Sequence, residues 1–153
     1  MRKFRLAGSG LYLVVSLTLL AGCQSLGTPD EGAGPYELSG TDWMLIEIAA
    51  GPDQVAQEVS PNQYVVSFAD QSRASFRLAC NRASGLWQTN QTGSSGTLNF
   101  SQVAVTSALC PGDQIGEVLA QDIMKVTKFT IYDGRLTMEL RNGGKIYVWD
   151  KVD

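Results

Sequence analysis

The 153-residue sequence contains no histidine. That absence excludes Ser-His-Asp and Cys-His catalysis, His-containing zinc sites and imidazole general bases together. Charge is also sparse: 18% of residues are charged, with 12 Lys+Arg against 15 Asp+Glu. A net charge of −3 offers no basic excess to a phosphate backbone, so no nucleic-acid partner is expected. The acidic residues are too scattered to nominate a glycosidase pair, and no Gly-rich phosphate loop, serine-nucleophile motif or metal-ligand cluster occurs. No enzyme activity, metal or diffusible cofactor is expected. The apolar run Leu11–Leu20 is about half the ~20 residues that a membrane-spanning helix needs.

What is present begins with a processing segment. Met1-Arg2-Lys3-Phe4-Arg5 is basic, the apolar run follows, and Leu20-Ala21-Gly22-Cys23 ends it. The last four residues resemble the bacterial lipobox, in which a branched aliphatic and small residues precede the thiol that takes a diacylglyceryl group. Residues 1–22 then form a lipoprotein signal peptide, and cleavage leaves Cys23 as the first mature residue. An uncleaved anchor, or a plain secretory signal with an incidental cysteine, is the alternative. Each buried CH₂ contributes ~0.8 kcal/mol, so two or three acyl chains of the palmitate kind hold a protein stably where one holds it marginally. Gln24 is not the Asp that retains lipoproteins in the inner membrane. By resemblance to known lipoproteins, the expected address is the outer membrane with the domain facing the periplasm.

Cleavage removes Arg2, Lys3 and Arg5, leaving nine basic against fifteen acidic residues and a mature charge of −6. An acidic body is not expected to lie flat on an anionic bilayer. Residues 23–35 read as a lipidated tether, with the Gly-, Ser-, Thr- and Pro-rich stretch 24–35 disordered and spanning ~20 Å. Acylation of Cys23 leaves Cys80 and Cys110. An even pair in an exported domain is read first as a disulfide, whose loop of about 30 residues is worth roughly 3–4 kcal/mol on the chain-entropy model. Two free thiols are the alternative. A catalytic thiol is disfavoured, because no Cys-x-x-Cys or histidine is there to activate it.

From Tyr36 the pattern is one of short strands. Residues 41–48, 64–68 and 73–78 are β-rich, and in the last of these Ala74, Phe76 and Leu78 alternate with Arg73 and Arg77. Asp70-Gln71-Ser72 is the expected hairpin turn, and residues 85–88 and 97–100 are further candidate strands. Ile115, Val118, Leu119, Ile123 and Val126 share one helical face, predicting a helix over 113–126 with Asp113 as N-cap and Lys125 and Lys128 near its negative end. A meander of 128–132, 135–141 and 145–150 follows, turning at Asp133-Gly134, a type I′ signal, and at Asn142-Gly143-Gly144. The fold class expected is α+β but mainly β. It is a twisted antiparallel sheet or cracked barrel with one helix packed across it.

Cys80-Asn81-Arg82-Ala83-Ser84-Gly85 resembles the CNRxSG signature of the META domain found in HslJ-like bacterial lipoproteins. Leu38-Ser39-Gly40-Thr41-Asp42-Trp43 resembles the family's opening LxGTxW motif. Val105-Thr106-Ser107-Ala108-Leu109-Cys110 resembles its T-x-x-x-C element, and Glu117 matches an acidic residue found beyond it. The domain is assigned to 36–153. The resemblance implies a small antiparallel β-structure crossed by a helix, links to envelope or heat stress, and no established catalysis. It also implies that Asn81 serves a left-handed turn, that Gly85 permits a bend, and that Cys80 meets Cys110. Ala83 departs from the family, where an aromatic is common.

Two surface features and two functions follow as expectations. Arg73, Arg77 and Arg82 form either an anion-binding patch or an ordinary solvated face. Trp43, Trp87, Trp149, Tyr64 and Tyr147 make either a sugar-stacking surface or core. The preferred function is a monomeric envelope lipoprotein that binds a protein partner in envelope assembly or stress tolerance, and that displays an exposed apolar or aromatic patch. The alternative is a carrier holding a lipid or apolar ligand between sheet and helix, in a cavity lined by Ile115, Leu119, Phe76 and Leu136. Intact mass spectrometry of the native protein should find a chain beginning at acylated Cys23, with no alkylatable thiol before reduction and two after it. An intact leader, or two thiols that alkylate without reduction, contradicts this processing.

Overall fold

The strands form where apolar and polar residues alternate, and the chain has enough of them to close a barrel. The computed structural model describes residues 37–49, 56–70 and 72–152. The leader, Cys23 and the tether lie outside the described residues, as does Gln71 of the expected 70–72 turn. The strands are β1 (Thr41–Ala49), β2 (Gln57–Glu58), β3 (Tyr64–Ala69), β4 (Arg73–Leu78), β5 (Asn81–Thr92) and β6 (Ser95–Val105), then β7 (Val126–Tyr132), β8 (Arg135–Leu140) and β9 (Ile146–Val152). Neighbours pair antiparallel in the order β1-β3-β4-β5-β6-β7-β8-β9, and β9 pairs back to β1. The short β2 adds to the far end of β1 through Glu47 and Ile48.

The result is a closed, mainly β barrel of eight antiparallel strands with one helix. Eight strands enclose a space that side chains fill. Here Trp43, Phe68, Phe129, Tyr147 and Trp149 fill it, each almost wholly buried. Phe76, Leu119 and Leu136, three of the residues expected to line a ligand cavity, belong to this core, and Ile115 packs against it.

Two strands run further than expected: the segments 85–88 and 97–100 are the middles of β5 and β6. Local pattern failed there because their ends carry Ser, Thr, Asn and Gln at mostly exposed positions. Asp133 and Gly134 have φ of 50° and 74°, as a type I′ turn requires. The turn expected at 142–144 takes the form of a 3-10 turn, Arg141–Gly143.

The helix is shorter than its apolar periodicity suggested. α1 covers Gln114–Asp122, and a 3-10 turn, Ile123–Lys125, follows. Val126 already has the extended φ of −62° and ψ of 135° that starts β7, so the last helical turn tightens instead of continuing. Asp113 is the N-cap, accepting from Gly116 N at 2.9 Å. A methyl group on Gly116 would lie 2.2 Å from Asp113 Oδ2, so the cap requires glycine there. Tyr64 donates its hydroxyl to the same aspartate and ties β3 to the helix start. Burial, then the bond to Asp113 and its charge, push the Tyr64 phenol above its ordinary pKa.

The other end of the helix is held by Asp122, which is only 4% exposed. Its carboxylate accepts from Lys125 Nζ at 2.7 Å, Lys145 Nζ at 3.0 Å and the Tyr147 hydroxyl at 2.7 Å. Burial alone would raise its pKa, but the bonds from Lys125, Tyr147 and Lys145 outweigh that and lower it. Burial and the same carboxylate raise the Tyr147 phenol. Asp122→Asn should cost about 1–3 kcal/mol at neutral pH, because the buried Tyr147 hydroxyl and two lysines lose their anion. A lowered folded pKa gives stability that is present above the unfolded carboxylate range and lost as pH falls through the folded value. In denaturant unfolding, the gap between wild type and variant should therefore narrow in acid; a gap independent of pH contradicts the assignment.

Candidate functional site

The outer face of β3–β6 is concave because β5 and β6 bend together. Leu86 pairs with Ser101 and Ser84 with Ala104, so Gln102 and Val103 on β6 stand opposite Gly85 alone. Gln102 takes φ of 51°, the left-handed conformation of a bulge. A Cβ on Gly85 would sit 2.8 Å from the Ser101 carbonyl oxygen and 2.9 Å from Val103 Cγ2, so no other residue fits the bend.

Strand register then builds a row of small side chains across the concave face. Asp42 pairs with Ser67, Ser67 with Ser75, Ser75 with Ser84, and Ser84 with Ala104. Beside that row runs a second one, in which Val65 pairs with Arg77 and Arg77 with Arg82. Together they line a groove of about 780 Å³, with Val105, Thr106 and Val152 on its rim. A smaller recess of about 470 Å³ beside Arg73 shares Ser75, Ser84 and Ala104 with it, so the two are continuous.

The structure thus brings Arg73, Arg77 and Arg82 to one face. Among the described residues, none of them is paired with a carboxylate. Arg82 Nη1 donates to the carbonyls of Ala79 at 3.1 Å and Asn81 at 3.0 Å, which steadies its guanidinium. Among the described residues, Asp42 is the one carboxylate that lines the groove. Exposed apolar side chains accompany the charges: Val105 and Val152 are 43% and 41% exposed, and Leu109 is 92% exposed on the loop that follows.

Of the signature residues, Arg82, Ala83 and Ser84 line the groove with Thr106, and Asn81 braces the loop beside it. Asn81 Oδ1 accepts from Ala108 N at 2.8 Å and Thr106 Oγ1 at 2.9 Å, while its Nδ2 donates to Ala108 O at 3.1 Å. Thr106 Oγ1 in turn accepts from Arg82 N at 2.9 Å. Cys80 and Cys110 form a disulfide with a Cα–Cα distance of 6.1 Å, clamping the loop from its far end. Ser84 lies on the groove floor. The left-handed residue of the turn is Ala79, with φ of 51°, and not Asn81, which stands in β5 and spends its side chain on the loop.

The sugar-stacking surface is overturned. Trp43, Trp149, Tyr64 and Tyr147 are at most 3% exposed and Trp87 is 8% exposed, because alternation points each of them into the barrel. Glu117 is exposed in the first turn of α1. Asp122, Asp113 and the serine row were not singled out beforehand as groups that meet. Only the i,i+3 spacing of Asp122 to Lys125 hinted at the first, since cross-strand partners leave no local mark. No Asp, Glu or Cys cluster among the described residues could hold a metal ion.

Chemically the groove can bind anions and apolar groups; it presents no nucleophile hydrogen-bonded to a base among the described residues. Like charges directly opposite each other destabilise a sheet. Arg77→Gln should therefore stabilise the fold by about 0.5 kcal/mol at low ionic strength. That gain should shrink at 1 M salt, where the screening length is about 3 Å. Loss of stability in urea titration would contradict an unpaired Arg77.

No curated protein matches the chain. Among solved structures, a protein from Burkholderia xenovorans superposes with a TM-score of 0.61 at 20% identity, covering 81% of this chain and 96% of that one. A DUF4847 family protein from Bacteroides vulgatus follows with a TM-score of 0.51 at 8% identity, covering 76% and 96%. At such identities the likeness is one of fold. The META domain family model matches residues 36–153, the whole barrel with its groove and signature loop, and the chain therefore belongs to the META domain family.

Proposed function

We propose that this chain is a lipid-anchored, non-catalytic binding module of the bacterial envelope. Anchored through Cys23 in the outer membrane and facing the periplasm, it engages a protein partner in envelope assembly or heat-shock-type stress tolerance. The observation that carries this reading is the outer groove of β3–β6. It combines unpaired arginines with exposed valines on a rigid sheet, the mixture of charge and apolar surface that protein interfaces use. Its support for a non-catalytic role is chemical: arginines, serine hydroxyls and a lone carboxylate give affinity without an activated nucleophile. The basic leader and lipobox-like Leu20-Ala21-Gly22-Cys23 support the address.

A photo-crosslinking amino acid placed at Ser75, on the groove floor, should capture one discrete protein in cells of the native host, more strongly under heat stress. The same probe at Glu117, on the helix, should not. Capture of lipid alone from Ser75, or of a partner from Glu117 only, contradicts the reading.

A further inference from the structure

The groove has a spacing as well as a charge. Resting on the reading that it grips a protein, we propose that its ligand is an extended acidic segment with two carboxylates four residues apart. Arg77 and Arg82 hold one carboxylate and Arg73 holds the other. Arg73 and Arg77 both point outward from β4, where exposed and buried residues alternate strictly. Four residues at strand rise separate them by about 13 Å. Carboxylates at positions i and i+4 of an extended peptide lie on one side of it at the same separation.

The chemistry of the three positions agrees with this. Arg82 stands directly opposite Arg77 and both line the groove, so two planar guanidinium forks are available at one end of it. Such forks match a carboxylate with paired, charge-assisted hydrogen bonds. Arg82 is already oriented by the Ala79 and Asn81 carbonyls, which lowers the ordering cost of binding. Between this pair and Arg73 lie Ser75, Ser84 and Ala104, shared by both recesses, so no large side chain interrupts the path.

Charge complementarity favours a narrow ligand over a broad one. The chain as a whole is acidic, with 15 Asp+Glu against 12 Lys+Arg, whereas the groove sets three arginines against Asp42. A flat polyanion such as a bilayer meets the acidic remainder as well as the groove. A single strand meets the groove alone, because fields beyond about 8 Å are screened at physiological ionic strength. The uncompensated Arg77–Arg82 pair, unfavourable for the sheet by itself, becomes favourable once an anion lies between the two guanidiniums.

The test uses the full-length acylated protein in detergent micelles and acetyl-Glu-Thr-Val-Thr-Glu-amide, read by calorimetry. Comparison ligands are the same peptide with Gln for both Glu, a peptide with the two Glu two residues apart, inorganic phosphate, and vesicles of anionic phospholipid. The four-apart peptide should bind about ten-fold tighter than the Gln peptide and more tightly than every other ligand. Arg77→Gln and Arg82→Gln should each weaken it about ten-fold, and Arg82→Lys, which keeps charge without the fork, should fall between. Arg73→Gln should abolish the preference for four-residue spacing while leaving the two-apart peptide unaffected. Unfolding midpoints close to wild type establish that the variants are folded.

Equal binding of the Gln peptide, no spacing preference, or tighter binding of phosphate or vesicles overturns the proposal. If the peptides fail to bind while the Ser75 crosslink survives in the Arg77→Gln/Arg82→Gln protein, this inference falls and the partner-binding reading stands. If the Ser75 crosslink to a protein is itself missing from the wild type, that reading falls with it.

Discussion

The outer groove of this barrel depends on the bulge at Gly85, where β5 and β6 bend together. Two β6 residues face one on β5, and the close approach of Ser101 and Val103 leaves no room for a side chain. β6 pairs with β7 only through Ser95–Thr97, so the two strands have already parted before β6 reaches the bulge. A barrel parted in this way needs something to cover its core on that side. The connection between β6 and β7 supplies it, with the 3-10 turn packed on β6, α1 on β4, and Leu119 and Ile123 added to the core. On the outer face the bend of β5 and β6 hollows the sheet, and the groove is that hollow.

The helix stays in place through carboxylates at its two ends. Asp113 caps the first turn and accepts from Tyr64 of β3, while Asp122 gathers two lysines and Tyr147 of β9. Helix position is therefore tied to β3 and β9, the two strands that flank β1. A nine-residue helix is too short to hold itself together in water, so these ties and the apolar stripe are what make it stable.

The family signature acquires a physical meaning in this frame. Asn81 and Thr106 interlock across β5 and the following loop, and the Cys80–Cys110 bond closes the loop beyond them. Gly85 makes the bend and Ser84 keeps the floor open. These residues shape a surface. The outward set on β3–β6 contributes nothing to the buried core, and in this chain that set includes three arginines. Fold likeness at 20% identity or below is silent about those positions.

Local patterning made much of the fold legible: the alternation of β4, the terminal meander, the Asp133-Gly134 turn and an amphipathic helix near residue 113. Strand lengths of β5 and β6 were not legible, because their polar ends satisfy no buried face. The helix terminus was missed because extension of Val126 into β7 overrides an apolar period that continues to it. The arginines were visible as a possible cluster from sequence spacing, yet spacing on β4 alone could not decide whether Arg82 joined them. That required the register placing residue 82 opposite residue 77, which is set by the tight turn at Ala79 and Cys80 rather than by either strand. By itself the amino-acid order determined the absence of imidazole chemistry, the acidic balance, the β-rich character and the family motifs, since composition and nearest-neighbour patterning are properties of the chain. Tertiary structure alone decided that the tryptophans face inward, that Asp122 is buried among cations, and that three arginines share one hollow, because each depends on residues distant in sequence becoming neighbours.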